Sequence, residues 1–147
     1  PEEEYTVGIF LDEKSSVKGA ITMLRQLRFG LTFHAIVDDY PDVTELAKQT
    51  AESLQAIGLC NVQLRRDRNN LPCVIEINAR ISSTVAFRAK LGFNEIAAAI
   101  DYFLLRKKPS LRFKKAVVMK TWDELIVPRS DYDFLQKQRY INNHKKK

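Results

Sequence analysis

The sequence predicts an α+β domain built on a mainly antiparallel sheet with flanking helices. Three observations carry that reading. Segments of strand-like alternation follow one another across short polar turns, as hairpins do. Segments of helical period come in clusters and do not alternate regularly with strands. The composition is that of a globular chain, 45% hydrophobic and 29% charged over 147 residues, with only five Gly and five Pro.

The elements follow in order. Residues 4–12, EYTVGIFLD, predict a strand in which Tyr5, Val7, Ile9 and Leu11 share one face. EKSS at 13–16 is turn material, and 17–27 complete a hairpin. The chain breaks at Arg28–Gly30, and 31–38 form a third strand. A helix over 42–57 is expected. Asp42 and Glu45 have capping-box spacing, Val43, Leu46, Ala47, Thr50, Ala51, Leu54 and Ile57 share one face, and Gly58 ends it. Strands at 59–66 and 73–79 flank the polar turn DRNN. Two short helices, 83–91 and 94–105, follow, with Asn94 capping the second. A strand at 114–120 and a helix at 131–140 complete the chain.

Charge divides the chain. Residues 1–105 hold 11 Lys and Arg against 14 Asp and Glu, whereas 106–147 hold 13 against 4. The expected organisation is therefore a domain over 1–105 and a basic extension over 106–147. Such an extension suits nucleic acid or a membrane surface. The plainer reading is a solvated terminus, because NNHKKK has no interleaved aromatics and Lys binds phosphate without specificity. Nucleic acid is accordingly not the expected partner. No apolar run approaches the ~20 residues of a membrane helix, so no membrane role is expected. The acidic start PEEEYT is neither a signal nor a transit peptide and lacks an initiator Met. A processed or excised chain is expected. Two cysteines, Cys60 and Cys73, make no disulfide scaffold and fit a reducing cytoplasm. Oligomeric state is left open, a homodimer included.

The strands 59–66 and 73–79 form the informative hairpin. Alternation puts Ile75, Ile77 and Ala79 on one face and Val74, Glu76, Asn78 and Arg80 on the other. A turn at 67–70 sets Gln63 opposite Glu76. Gln63, Glu76 and Asn78 then share a face, Arg80 extends the line, and Ile75 and Ile77 pack beneath against the 42–57 helix. The same pairing sets Cys60 near Ala79 and Cys73 near Arg66, which leaves the thiols unpaired. A carboxylate with two amide oxygens suits a hard cation such as Mg²⁺. A neighbouring Arg can grip phosphate oxygens. From spacing alone, a solvent-facing polar strand face explains the same pattern.

Residues 4–105 resemble the C-terminal half of an ATP-grasp domain, as in carboxylate–amine ligases and the carbamoyl-phosphate synthase large subunit. The strings that carry the resemblance are EYTVGIFLD, the helix followed by GLCNVQL, VIEINARISST, and AFRAKLGFNEIAAAI. The resemblance implies that Glu4 accepts bonds from the ATP ribose. It implies that Gln63, Glu76 and Asn78 hold Mg²⁺ (or Mn²⁺) on the ATP phosphates, and that Arg80 is a catalytic contact to the transferred phosphoryl group. Position 79 is Ala where the family usually has Pro. The family's glycine-rich lid and phosphate-binding Lys residues precede EYTV. The chain therefore resembles a fragment whose N-terminal half is missing, expected to turn over no ATP alone.

The implied chemistry is carboxylate activation by ATP to an acyl phosphate, followed by attack of an amine. The protein's part is positioning and charge neutralisation. Ser82, Ser83 and Thr84 could donate to the acceptor or cap the next helix. Arg25, Arg28 and Arg88 could grip a carboxylate but read first as surface charges. Arg65 matches no family position and is expected to matter little. His34 reads as a packed side chain, His144 as tail and Trp122 as packing. No Ser–His–Asp or Cys–His set is visible. The alternative is a non-catalytic binding module whose basic extension meets an acidic partner or nucleic acid.

Overall fold

The computed structural model describes residues 4–121 and 128–144. Trp122, expected as a packing residue, lies outside the described residues, as do Glu2, Glu3 and Lys145–Lys147. Six strands form one sheet: β1 (Glu4–Leu11), β2 (Val17–Arg28), β3 (Leu31–Val37), β4 (Gly58–Arg66), β5 (Pro72–Asn78) and β6 (Ala116–Met119). Their order is β5-β4-β1-β2-β3-β6, and every neighbouring pair is antiparallel. The α+β antiparallel reading therefore holds.

The central strand β1 is buried on both faces along its whole length. Tyr5, Val7, Ile9 and Leu11 share a core with Cys60, Val62 and Leu64 of β4 and with Val43, Ala47 and Ala51 of helix α1 (Pro41–Ser53). On the opposite face Ile21, Met23, Ala35 and Val37 pack against Phe93, Phe87 and Leu91. Those come from α2 (Val85–Lys90) and the loop before α3 (Glu95–Ala99). A π-helical turn, Ile100–Leu104, follows α3, and α4 spans Arg129–His144.

Helix α1 is shorter than its apolar period predicts. Gln55 takes φ 54°, so the helix stops at Leu54, before Gly58. Leu54 and Ile57 are consequently 58% exposed and not on the core face. The capping box does not form either. Tyr40 is the N-cap and makes no side-chain cap bond, while Asp42 pairs with Arg66 across 2.6 and 3.0 Å. The Asn94 cap does form, accepting from the Ala97 amide at 3.0 Å.

The expected hairpin is antiparallel, and Gln63 does stand opposite Glu76. A bulge at Ile75 then shifts the register, so that Val74 opposes Leu64 and Cys73 opposes Arg65, not Arg66. Val74 packs on the α1-side core in place of Ile75. Ile75 and Ile77 are 48% and 39% exposed, because β5 is an edge strand that α1 covers only in part. Both cysteines are free thiols, Cys60 buried and Cys73 exposed.

The sheet does not stop at residue 105. β6 adds to β3, and Leu111 and Phe113 join the second core. Leu111 lies over Gly19, where an added Cβ would come within 2.8 Å of it. The start of the basic segment is therefore built into the same core as residues 4–105. Among the described residues, no helix is long and apolar enough to cross a membrane.

Candidate functional site

On the sheet face opposite α1, a cavity of about 520 Å³ opens at the Glu4 end of β1. Glu4, Gln63, Glu76, Asn78 and Arg80 all line it. β1 contributes Glu4, β4 contributes Gln63, β5 contributes Glu76 and Asn78, and Arg80 stands just past β5. Pairing of Gln63 with Glu76 and of Asn61 with Asn78 sets these side chains on one pleat face.

Glu76 is exposed and Asn78 half-buried. The Asn78 amide Nδ2 donates to Glu76 Oε1 at 3.0 Å, which leaves Asn78 Oδ1 as an oxygen ligand. Arg80 is exposed at the rim and donates to the Ile81 carbonyl at 3.1 Å. Glu76 and Asn78 fit a hard cation that keeps water and phosphate in its shell. Among the described residues no three His, Cys, Asp or Glu side chains gather as a metal cage. Gln63 fits less well. Its Oε1 accepts from Arg25 Nη2 at 2.8 Å, and a cation there would meet a guanidinium.

Glu4 is 4% exposed, so it is no free strand-start carboxylate. Arg25 Nε donates to its Oε1 at 3.0 Å, Arg25 Nη2 donates to the same oxygen, and Arg65 Nη2 donates to Oε2 at 3.2 Å. Oε2 retains acceptor capacity for a further hydroxyl. Arg25 also reaches Thr32 Oγ1 at 3.3 Å. Arg25 is thus buried, against the surface-charge reading, and Arg65 belongs to the site it was expected to leave untouched.

Beside the cavity, on the same sheet face, lies a second buried network. Arg88, 1% exposed, pairs through Nη2 and Nε with Glu95 and donates from Nη1 to Asn61 Oδ1 at 3.1 Å and Thr84 Oγ1 at 2.9 Å. It is a structural cation, not a surface one. Asn61 Oδ1 also accepts from Thr6 Oγ1 at 3.0 Å, while Asn61 Nδ2 is buried with no hydrogen-bond partner. Asn61 lines the cavity, and sequence reasoning passed over it. The signal was available: it lies two residues before Gln63, on the same strand face. Ser82 and Thr84 bond each other at 2.8 Å, and Ser82 and Ser83 line the cavity. Arg28 is exposed and lies over the Phe29 and Phe33 rings, remote from this grip.

A twisted antiparallel sheet with helices on both faces and carboxylate, amides and arginines gathered over one end defines an ATP-grasp fold. The chain belongs to the family described as ATP-grasp in the biosynthetic pathway with Ter operon, whose pattern matches residues 1–124. It is similar in structure to N5-carboxyaminoimidazole synthetase from Staphylococcus aureus complexed with ADP. The TM-score is 0.61 at 23% identity, over 80% of this chain and 34% of that one. It is also similar to biotin carboxylase from Campylobacter jejuni. There the TM-score is 0.56 at 18% identity, over 68% of this chain and 24% of that one. These likenesses show the fold. The chain spans about a third or less of the length of these structures. No curated protein matches it in sequence.

Proposed function

We propose that this chain is the C-terminal half of the nucleotide-binding domain of an ATP-dependent ligase, one that activates a carboxylate as an acyl phosphate for attack by an amine. The observation that carries the reading is the convergence of Glu4, Gln63, Glu76, Asn78 and Arg80 on one cavity, from three separate stretches of the chain. The missing partner is the half bearing the lid and the phosphate-binding lysines. Residence in the cytoplasm is part of the same reading.

In this reading Glu76 and Asn78 Oδ1 hold Mg²⁺ (or Mn²⁺). The cation, when bound, neutralises the charge of the ATP phosphates. Arg80, exposed at the rim, would offer its remaining donors to the transferred phosphoryl oxygens. Glu4 accepts a ribose hydroxyl on Oε2 while Arg25 and Arg65 hold its carboxylate in place. Gln63 orients Arg25 toward the cavity and joins the cation only if that bond opens. Asn61 Nδ2 offers one more donor at the cavity floor. Nucleophilic attack then needs no covalent intermediate on the protein, only a fixed geometry and a neutralised leaving group.

Mn²⁺ binding to the whole chain in the presence of ADP, followed by the loss of the free-ion magnetic resonance signal, tests the assignment. Glu76→Gln keeps shape but removes charge and is expected to weaken binding at least tenfold. Lys48→Gln, on α1 and the other sheet face, is expected to leave it unchanged. Equal binding by Glu76→Gln and the parent would remove Glu76 from the site. The chain alone is expected to release no ADP from ATP, since half the phosphate contacts lie elsewhere.

A further inference from the structure

None of the residues assigned to that reaction comes from the basic segment after residue 105. The structure places its first members around a second cavity, also of about 520 Å³, lined by Glu13, Lys18, Tyr102, Arg106, Lys107 and Lys108 with Pro109. It lies at the other end of β1 from Glu4. The strand from Glu4 to Leu11 that separates the two cavities is about 23 Å long.

The walls of this cavity are fixed. The Tyr102 hydroxyl donates to Glu13 Oε2 at 2.6 Å, and its ring meets Phe10 and Phe103 edge-on at 5.9 and 5.2 Å. That bond occupies the Glu13 carboxylate and pushes the Tyr102 phenol up to about 12, so it stays a donor. Lys18 is held by Asp12 at 2.7 Å. The one carboxylate at the cavity and one of its cations are thus already engaged.

Arg106, Lys107 and Lys108 remain. Among the described residues none of the three is in an ion pair with a carboxylate. Their backbone is set by local structure. The π-helical turn ends at Leu104, Arg106 takes φ 54°, and the Lys107 amide donates to the Asp101 carbonyl at 2.8 Å. Arg106 is the left-handed residue that closes this helical end, as Gln55 is for α1, and it fixes where the basic run leaves the turn. Three consecutive cations around one concavity repel each other until an anion neutralises them.

We propose that this cavity binds a small polyanion, a phosphate ester or a polycarboxylate, at a site separate from the nucleotide cavity. Its volume lies in the range of small-ligand pockets. The guanidinium and two ammonium groups supply the charge, and the Tyr102 ring supplies a rigid wall.

Calorimetric titration of the whole chain in metal-free buffer tests this with two probes. Pyrophosphate stands for the phosphate class and citrate for the carboxylate class. Saturable one-to-one binding of either is expected, and the tighter probe names the class. Arg106→Ala/Lys107→Ala/Lys108→Ala is expected to weaken it at least tenfold. Tyr102→Phe keeps the charge count but frees the Glu13 carboxylate, and it is expected to weaken binding severalfold. Binding of neither probe overturns the proposal. So does unchanged affinity in the triple variant, or loss of the signal in Arg80→Gln, which would assign it to the other cavity. A single-stranded oligonucleotide held more tightly than both probes through the same three residues would replace the small ligand with nucleic acid.

Discussion

The guanidinium of Arg88 lies directly over Gly8. A Cβ built at Gly8 would sit 2.6 Å from Arg88 Cζ. Glu95, Asn61 and Thr84 fix that guanidinium on its other sides, so it has nowhere to retreat. The glycine at the centre of β1 admits a buried cation against the sheet, beside the cavity.

Gly8→Ala is therefore expected to destabilise the chain by about 1–3 kcal/mol, the usual cost of overpacking. Urea unfolding reads this. A change within about 0.5 kcal/mol would mean that Arg88 can leave its position without loss.

Arg88→Met leaves Glu95 buried without its partner. Breaking a buried pair on one side costs about 3–5 kcal/mol. Arg88→Met/Glu95→Leu removes both charges and is expected to recover a large part of that loss. If the double variant is as unstable as the single one, the pair's charge balance is not what holds α2 and α3 on the sheet.

Arg25→Gln is expected to cost several times more stability than Arg65→Gln. Arg25 is buried and makes two of the three arginine bonds to Glu4. Arg65 is half-exposed and makes one. Exposed or half-exposed pairs contribute about 0–1 kcal/mol, buried ones far more when broken. Paired unfolding curves of the two variants give the ratio.

Asp12 sets an acid limit. Lys18 beside it, with the Ser16 and Lys14 amides, holds its carboxyl down at about 2 from the usual 3.8. A depressed folded-state value stabilises above the unfolded value and loses that contribution as pH falls through the folded one. Stability should therefore fall between about pH 4 and pH 2. Asp12→Asn is expected to flatten that limb, and an unchanged limb would assign it to other carboxylates.

A chain ending at Leu105 lacks β6 and the Leu111 and Phe113 side chains. Loss of buried apolar side chains of this size costs about 2–5 kcal/mol each when fully buried. These two are half-buried, so a total loss of about 3 kcal/mol is expected. Equal stability of the 1–105 and 1–147 chains would restore the boundary at 105.

The strand segments, the hairpins that pair β1 with β2 and β4 with β5, and the meeting of Gln63 with Glu76 were legible in the sequence. Each is local: alternation fixes a face, and a short turn fixes the register of the hairpin it closes. The strings EYTV and VIEINAR carried the family for the same reason, because they are contiguous. Tertiary structure alone decided the rest. The bulge that exposes Ile75 depends on what α1 can reach across an edge strand. Glu4 is held by arginines 21 and 61 residues away, and Arg88 is buried by Glu95, Asn61 and Gly8 together. A long charged side chain reads as surface in sequence, since burial costs it several kcal/mol unless a partner is waiting. Whether one waits is set by non-local strand register, which no single segment contains.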